Sequence, residues 1–193
     1  MPSAMLSPSP QPFLPLRETA MIRLVPELPC HVGARERLLD AAFGSARFSK
    51  TCERLRENRR PAANLAFAAI DDARLVGTLR LWPLEVGSDN PALLLGPLAV
   101  SATHRHRGIG GQLIEHALSA AERDGHRAVV LLGDASYYGR FGFSARLARE
   151  LWLPGPYEQE RLLGLELRPG GLEGAAGLVR GSGEWAPALR AAA

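Results

Sequence analysis

The stretch THRHRGIGGQLIEHAL, Thr103 to Leu118, sets Arg105, His106 and Arg107 directly before Gly108, Ile109, Gly110 and Gly111, and an apolar-periodic helix follows at once. Glycines that feed a helix start allow positive φ. They also let a ligand approach main-chain N–H groups that have no partner inside the helix. The helix dipole favours negative charge at the same end, and the two arginines add fixed positive charge at its mouth. A phosphate or diphosphate suits that combination. The spacing is Arg-x-x-Gly-x-Gly, so the GxGxxG of a dinucleotide fold and the GKS or GKT ending of a P-loop are both missing. The alternative is a tight strand-to-helix connection whose glycines serve packing alone. Against it stands the strand just before, ALLLGPLAV, which is broken in its middle by Gly96-Pro97. Proline cannot donate to a ladder, so a bulge or bend is expected there.

The elements that must position this turn follow from hydrophobic period. Met21 to Leu28 alternates like a first strand. His31 to Ala42 carries Val32, Arg35, Leu38, Leu39 and Ala42 at helical spacing, with Gly44 as a stop, and Phe48 to Asn58 predicts a second helix ended by Pro61. Leu65–Ile70 and Arg74–Trp82 read as a hairpin around Asp71-Asp72-Ala73, followed by a loop from Pro83 to Pro91. Ala92–Val100 is the bent fourth strand. Ile109, Leu113, Ile114, Ala117, Leu118 and Ala121 give the next helix one apolar face, closed by Gly125. Ala128–Leu132 is a continuous apolar run of the central, parallel kind and counts as the fifth strand. Gly133 to Phe143 turns through one short helix, a strand starts at Phe143, and Arg161–Leu167 is the last. The class is α/β (α+β) with a mixed sheet. Residues 1–20 are expected to be a disordered Pro/Ser-rich lead-in with Met21 as an alternative start, residues 21–169 the domain, and residues 170–193 a weakly ordered tail.

With those elements placed, GPLAVSATHRHRGIGGQLIEHAL (Gly96 to Leu118) resembles motif A of the GNAT superfamily of acyl-CoA-dependent N-acyltransferases. YYGRFGF (Tyr137 to Phe143) is similar to that family's motif B, in which a tyrosine lies four residues before a Gly-Phe pair. The wording LGPLAV, RGIG and LLGDASYYGRFGF is similar to its bacterial YhbS-like branch. The resemblance implies the GNAT fold, a mostly antiparallel mixed sheet splayed between the fourth and fifth strands and flanked by helices. It implies acetyl-CoA as donor, with the pantetheine arm in the splay. Leu98, Ala99 and Val100 are then the strand positions beside the pantetheine. Arg105, His106, Arg107, Gly108, Ile109, Gly110 and Gly111 form the diphosphate turn, and Tyr138 lies beside the thioester sulfur. Dimers are common in the family; no residue pattern here argues for one.

Acetyl transfer from a thioester needs a neutral amine, a held carbonyl and a leaving thiolate. A backbone N–H at the strand break would polarise the carbonyl, and holding amine and thioester together supplies much of the remaining acceleration. The Tyr138 phenol would protonate the thiolate; the alternative is a buried aromatic whose hydroxyl bonds the backbone. Tyr137 is the weaker candidate. For the base, Glu85, His104 and Asp134 are the ionisable groups to inspect, with a water chain as the alternative; Asp134 also reads as an N-cap for the turn carrying Tyr137. Leu93, Leu94 and Leu95 stand where some relatives carry a strand carboxylate. The Asn often found at the start of the motif B helix is absent. A non-catalytic acyl-CoA sensor with the same fold is therefore the alternative function.

The bulk composition fits that reading. A chain of 193 residues with 46% apolar and 22% charged residues suits one globular domain. No apolar run approaches the roughly 20 residues needed to span a bilayer, and the N-terminus has no basic segment leading into an apolar one. The net charge is +3, yet Lys50 is the only lysine and the arginines are scattered, with no aromatic-basic platform for nucleic acid. Cys30 and Cys52 are too few for a disulfide framework, which fits free thiols in the cytoplasm. No metal is expected. The acceptor, an amine of a small molecule or a protein, is not encoded in any motif; the segments expected to meet it are His31–Asn58, Pro83–Pro91 and the surroundings of Tyr157.

Overall fold

The computed structural model describes residues 21–87 and 90–186. The expected lead-in, residues 1–20, lies outside them. The chain opens with β1 (Arg23–Pro26), α1 (Val32–Phe43) and α2 (Thr51–Arg56), then the hairpin β2 (Ala66–Asp71) and β3 (Arg74–Val86). β4 (Asn90–Leu95) and β5 (Ala99–Val100) follow, then α3 (Ile109–Arg123), β6 (Ala128–Leu132) and α4 (Ala135–Tyr138). β7 (Leu151–Trp152), β8 (Leu162–Glu166) and β9 (Gly177–Gly181) complete it. The sheet runs β1-β2-β3-β4-β6-β8; β5 pairs with β3, and β9 pairs with β3 and β7. Pairing is antiparallel except for β4 with β6 and β7 with β9. This is the expected mixed sheet.

Period-two alternation puts apolar residues on both faces of the central strands. Leu93, Leu95, Val129 and Leu131 pack on the α3 side with Leu113 and Ile114, while Leu94, Val130 and Ala128 pack on the other side with Leu55, Leu84 and Leu151. That is why β4 and β6 read as unbroken apolar runs. α3 lies close against the sheet at Gly77, where a Cβ would come within 3.1 Å of Leu113 Cδ1 and 3.2 Å of Ile109 Cγ2.

Three expectations are corrected. Pro83–Val86 and Asn90–Pro91 are strand, because β3 continues to pair with β4 and, through Leu84–Val86, with β9. No strand starts at Phe143: Ser144 makes a single bridge to Gly164, and Ala145–Ala148 coils into a 3₁₀ turn capped by the Ser144 side chain. Residues Gly177–Gly181, placed in the tail by the sequence reading, enter the sheet as β9, since small residues there permit close approach: a Cβ on Gly181 would meet Leu55 O at 2.0 Å. Among the described residues no helix is long and apolar enough to cross a membrane, and no group of His, Cys, Asp or Glu could hold a metal ion.

Candidate active site

The strand break at Gly96-Pro97 is where the sheet opens. Gly96 sits at φ +127°, a conformation that side chains disfavour. It is fastened on both sides: its N–H donates to Arg80 O at 2.8 Å, and its carbonyl accepts from the Trp82 indole N–H at 2.6 Å. β4 and β6 run in register only at Leu93 with Val129 and Leu94 with Val130. Beyond those pairs the chain bends back to β3, where Ala99 lies opposite Thr78 and Val100 opposite Gly77. Ser101 N–H donates to Val76 O at 2.8 Å. By strand alternation Ala99 also turns its main-chain groups to β3, so those of Leu98 and Val100 turn toward the opening beside β6. Leu98 N–H has no backbone partner among the described residues. Ala99, grouped with them in the sequence reading, is spent on β3.

The glycine turn lies at the far end of this opening. Gly108, the N-cap of α3, is left-handed at φ +76° and His106 at φ +65°. The first-turn N–H groups of α3 have no intrahelical acceptors. They face a cavity of about 430 Å³ lined by Val100, His104, Arg105, His106, Gly108 to Gly111, Tyr137 and Arg140, with no carboxylate among its lining residues. Arg107 does not line it. Its Nη1 donates instead to Asp71 Oδ2 at 3.1 Å, and His104 Nε2 lies 3.0 Å from the same oxygen. These bonds, that to His104 foremost, hold the Asp71 carboxyl below the usual carboxylate range. Asp71 thus anchors the loop that carries Arg105 and His106. Sequence reasoning missed Arg140, whose guanidinium lies 4.3 Å from the Tyr137 ring centroid and 4.8 Å from that of Phe141. The signal was available: Arg140 stands three residues after Tyr137 in a helical turn, on the same face.

A second cavity, about 810 Å³, begins at the opening. Leu95 to Leu98 form one lip, Leu132, Gly133 and Asp134 the other, and Tyr138 lines it. The Tyr138 ring lies against the backbone of Gly133 and packs edge-on to Tyr137 with centroids 4.9 Å apart. Burial, with a smaller contribution from Tyr137, pushes the Tyr138 phenol up to about 12. The phenol therefore stays protonated throughout the neutral range, and it makes no hydrogen bond among the described residues. Asp134 accepts from Ser136 N–H at 2.7 Å and Tyr137 N–H at 3.2 Å, and these bonds together with the Ser136 hydroxyl keep its carboxyl low. It is the N-cap of α4.

Of the other carboxylates and imidazoles considered for the base, Glu85 is exposed on β3 and lines neither cavity, and His104 belongs to the smaller cavity at the α3 N-terminus. The large cavity has one more carboxylate, Glu158, which sequence reasoning did not single out because it lies in an unpatterned loop. The remaining wall comes from α1, α2 and the turn between them, with Phe43, Arg47, Lys50, Thr51, Cys52 and Arg56, and from the segment that carries Pro156, Tyr157 and Arg161. Burial pushes the Cys52 thiol up, so it stays an inert apolar surface. The wall is braced. Thr51 Oγ1 donates to Pro156 O at 2.6 Å, and Arg54 Nη1 to Pro154 O at 3.0 Å. Arg47 is held by Asp40 at 2.8 Å and by Glu36, Glu36 by Arg35, and Arg35 by the buried Glu27, which also binds Arg80 of β3 at 2.8 Å. None of the described residues of the Pro83–Pro91 segment, expected near an acceptor, lines this cavity.

Comparison with known proteins gives a consistent result. Residues 34–143 match the Acetyltransferase (GNAT) family. The chain is 30% identical over 154 residues to the uncharacterized N-acetyltransferase YhbS of Escherichia coli K12, covering 79% of this chain and 92% of that protein. It superposes on the crystal structure of Escherichia coli YhbS in complex with CoA with a TM-score of 0.75 at 28% identity, over 86% of this chain and 93% of that one. A GNAT acetyltransferase from Brucella melitensis in complex with acetyl-CoA gives a TM-score of 0.59 at 25% identity, over 88% and 97%.

Proposed function

We propose, from the premise that this chain belongs to the Acetyltransferase (GNAT) family, that it transfers the acetyl group of acetyl-CoA to a primary amine by direct attack of the amine on the thioester. The observation that carries the reading is the continuity of three features. These are a cationic, carboxylate-free cavity at the α3 N-terminus, an opening between β5 and β6 edged by main-chain groups, and a protonated phenol in the wall beyond it.

The diphosphate lies against the N–H groups of Gly108 to Gly111, with Arg105, His106 and Arg140 supplying positive charge. The pantetheine arm pairs with the Leu98 and Val100 main chain like an added strand. The thioester carbonyl accepts from Leu98 N–H, which is oriented before reaction begins and so costs no reorganisation when negative charge develops on that oxygen. The amine nitrogen forms a bond to the carbonyl carbon. As the carbon–sulfur bond breaks, the Tyr138 hydroxyl hydrogen passes to the leaving thiolate and solvent reprotonates the phenolate. The proton released by the amine goes to Glu158 or to water in the large cavity.

Two assays test this together. Titration calorimetry with acetyl-CoA is expected to saturate at one site per chain, and a thiol-release assay across a broad amine panel is expected to find acetyl-CoA consumption dependent on at least one amine. No saturable binding contradicts the donor site. Tight binding with no release across the panel contradicts turnover.

A further inference from the structure

The large cavity receives the amine, so its charge states which amine fits; this inference rests on the acetyl-transfer reading above. Four cationic side chains line it, Arg47, Lys50, Arg56 and Arg161, against two carboxylates, Asp134 and Glu158. Several of these are already neutralised. Arg47 is held by Glu36 and Asp40, and Arg56 by Glu53 at 2.7 Å. Asp134 is committed to the α4 cap. The cap bonds leave the Asp134 carboxylate charged, and it feels the charge of Arg161. Two cations without an ion pair, Lys50 and Arg161, thus share the cavity with two carboxylates, of which Glu158 is the open one. Neither Lys50 nor Arg161 makes an ion pair among the described residues; the Lys50 ammonium lies 5.0 Å from the Phe43 ring centroid at the cavity wall.

Arg161 is close to the chemistry. Its carbonyl accepts from Gly133 N–H at 2.9 Å, and Gly133 is the residue on which the Tyr138 ring rests. Lys50 starts α2, whose Thr51 is bonded to Pro156 two residues before Glu158. The two open cations and the open carboxylate therefore belong to one braced wall system. A polyamine or a simple alkylamine entering here would leave Lys50 and Arg161 without a counter-charge, whereas an amine that also carries an anion offers a partner to both signs of charge in the wall. A cavity of about 810 Å³ has room for the acetyl end and an acceptor of metabolite size.

We infer that the acceptor is a metabolite-sized primary amine that also carries an anionic group, a carboxylate or a phosphate, which Arg161 and Lys50 hold while its amino group lies toward Glu158 and the acetyl end. A guanidinium reads either anion through paired N–H bonds.

The test measures thiol release with acetyl-CoA on matched amines: α-amino acids against their carboxamides, ethanolamine phosphate against ethanolamine, with spermidine and a lysine-containing peptide alongside. At least one anionic member is expected to exceed its neutral partner about tenfold in kcat/KM, and which pair responds separates carboxylate from phosphate. Arg161→Gln and Lys50→Gln are each expected to raise KM for that amine about three- to tenfold with kcat nearly constant. Arg161→Glu is expected to abolish the preference. Acetyl-CoA titration is run on every variant, with unchanged affinity expected. If the wild-type protein fails to bind acetyl-CoA, the acetyl-transfer reading itself fails. If it binds and turns over, but only with neutral amines, spermidine or the peptide, or with no advantage for the anionic member of any pair, the acceptor inference alone is overturned; binding without turnover of any amine overturns both.

Discussion

Gly133 is the position at which a single methyl group distinguishes a structural tyrosine from a working one. A Cβ there would lie 2.3 Å from Tyr138 Cε2, 2.7 Å from Cδ2 and 2.9 Å from Leu131 Cδ1. Ordinary carbon contacts begin near 3.5 Å, so the ring must retreat by about 1.2 Å along the closest line. Gly133 has no positive φ, so alanine fits the backbone and the whole effect falls on its neighbours. Overpacking of this kind costs about 1–3 kcal/mol, which lowers Tm without unfolding an ordinary domain. Displacing a group that meets the leaving thiolate by about 1 Å is expected to lower kcat about a hundredfold. The cavity at the α3 N-terminus does not include Gly133, so acetyl-CoA affinity is expected to change by less than about threefold, a small shift on the scale of binding energies. The decisive comparison is a double-mutant cycle with Tyr138→Phe, read as kcat in the thiol-release assay. If Gly133 acts by positioning Tyr138, Gly133→Ala adds little once the hydroxyl is gone. Multiplicative losses, or a Gly133→Ala kcat within twofold of wild type, would refute the reasoning.

Other predictions address the rest of the site. Tyr138→Phe should lower kcat by about 10²–10⁴-fold with donor affinity retained. With the wild-type phenol pushed up to about 12, kcat should show no descending limb from its ionisation below about pH 11; a limb near pH 9 contradicts the acid assignment. Gly110→Val places branched carbon where a Cβ already lies 3.0 Å from Tyr137 Oη; it should weaken acetyl-CoA binding at least about tenfold by calorimetry, by blocking the approach of the diphosphate to the amides. The Asp71 carboxyl is held low by His104 and Arg107, so its ionised form stabilises the fold above its unfolded value of 3.8, and that stability is lost as pH falls through the lower folded value. Asp71→Asn should therefore lower Tm at pH 7, with the gap to wild type closing as the pH is taken below 3.8; a gap that stays constant contradicts the anchor.

Local pattern carried the architecture where one principle dominated. The apolar stripe of α3, the apolar runs of β4 and β6, the Gly44 stop and the interruption at Gly96-Pro97 all stand where period and backbone chemistry put them. The periodicity even placed Arg35 on the inward stripe of α1, where it is 7% exposed. Its partner Glu27 lies outside α1, just after β1, so only the fold shows why an arginine is tolerated there. The same limit explains the misses. Pro83–Val86 looked like loop because proline is a poor strand residue, yet pairing on both sides of β3 outweighs that preference. Arg107 looked like a phosphate ligand from its position in the turn, and only the approach of β2 reveals Asp71 as its partner. β9 was obscured by its glycines: Gly181 serves close packing against α2 and Arg59, and Gly177 close approach to Gly87. Glu158 lies in a segment without periodicity and Arg161 at the start of the last expected strand, and they join the site through contacts more than 100 residues apart in sequence, such as Thr51 with Pro156.

The most direct measurement is a crystal structure of the protein soaked with acetyl-CoA. The account predicts density for the diphosphate against the amides of Gly108 to Gly111, the pantetheine arm alongside the Leu98 and Val100 main chain, and the thioester sulfur within hydrogen-bonding reach of the Tyr138 hydroxyl. Acetyl-CoA bound elsewhere, or in the opening with its sulfur remote from Tyr138, would contradict it.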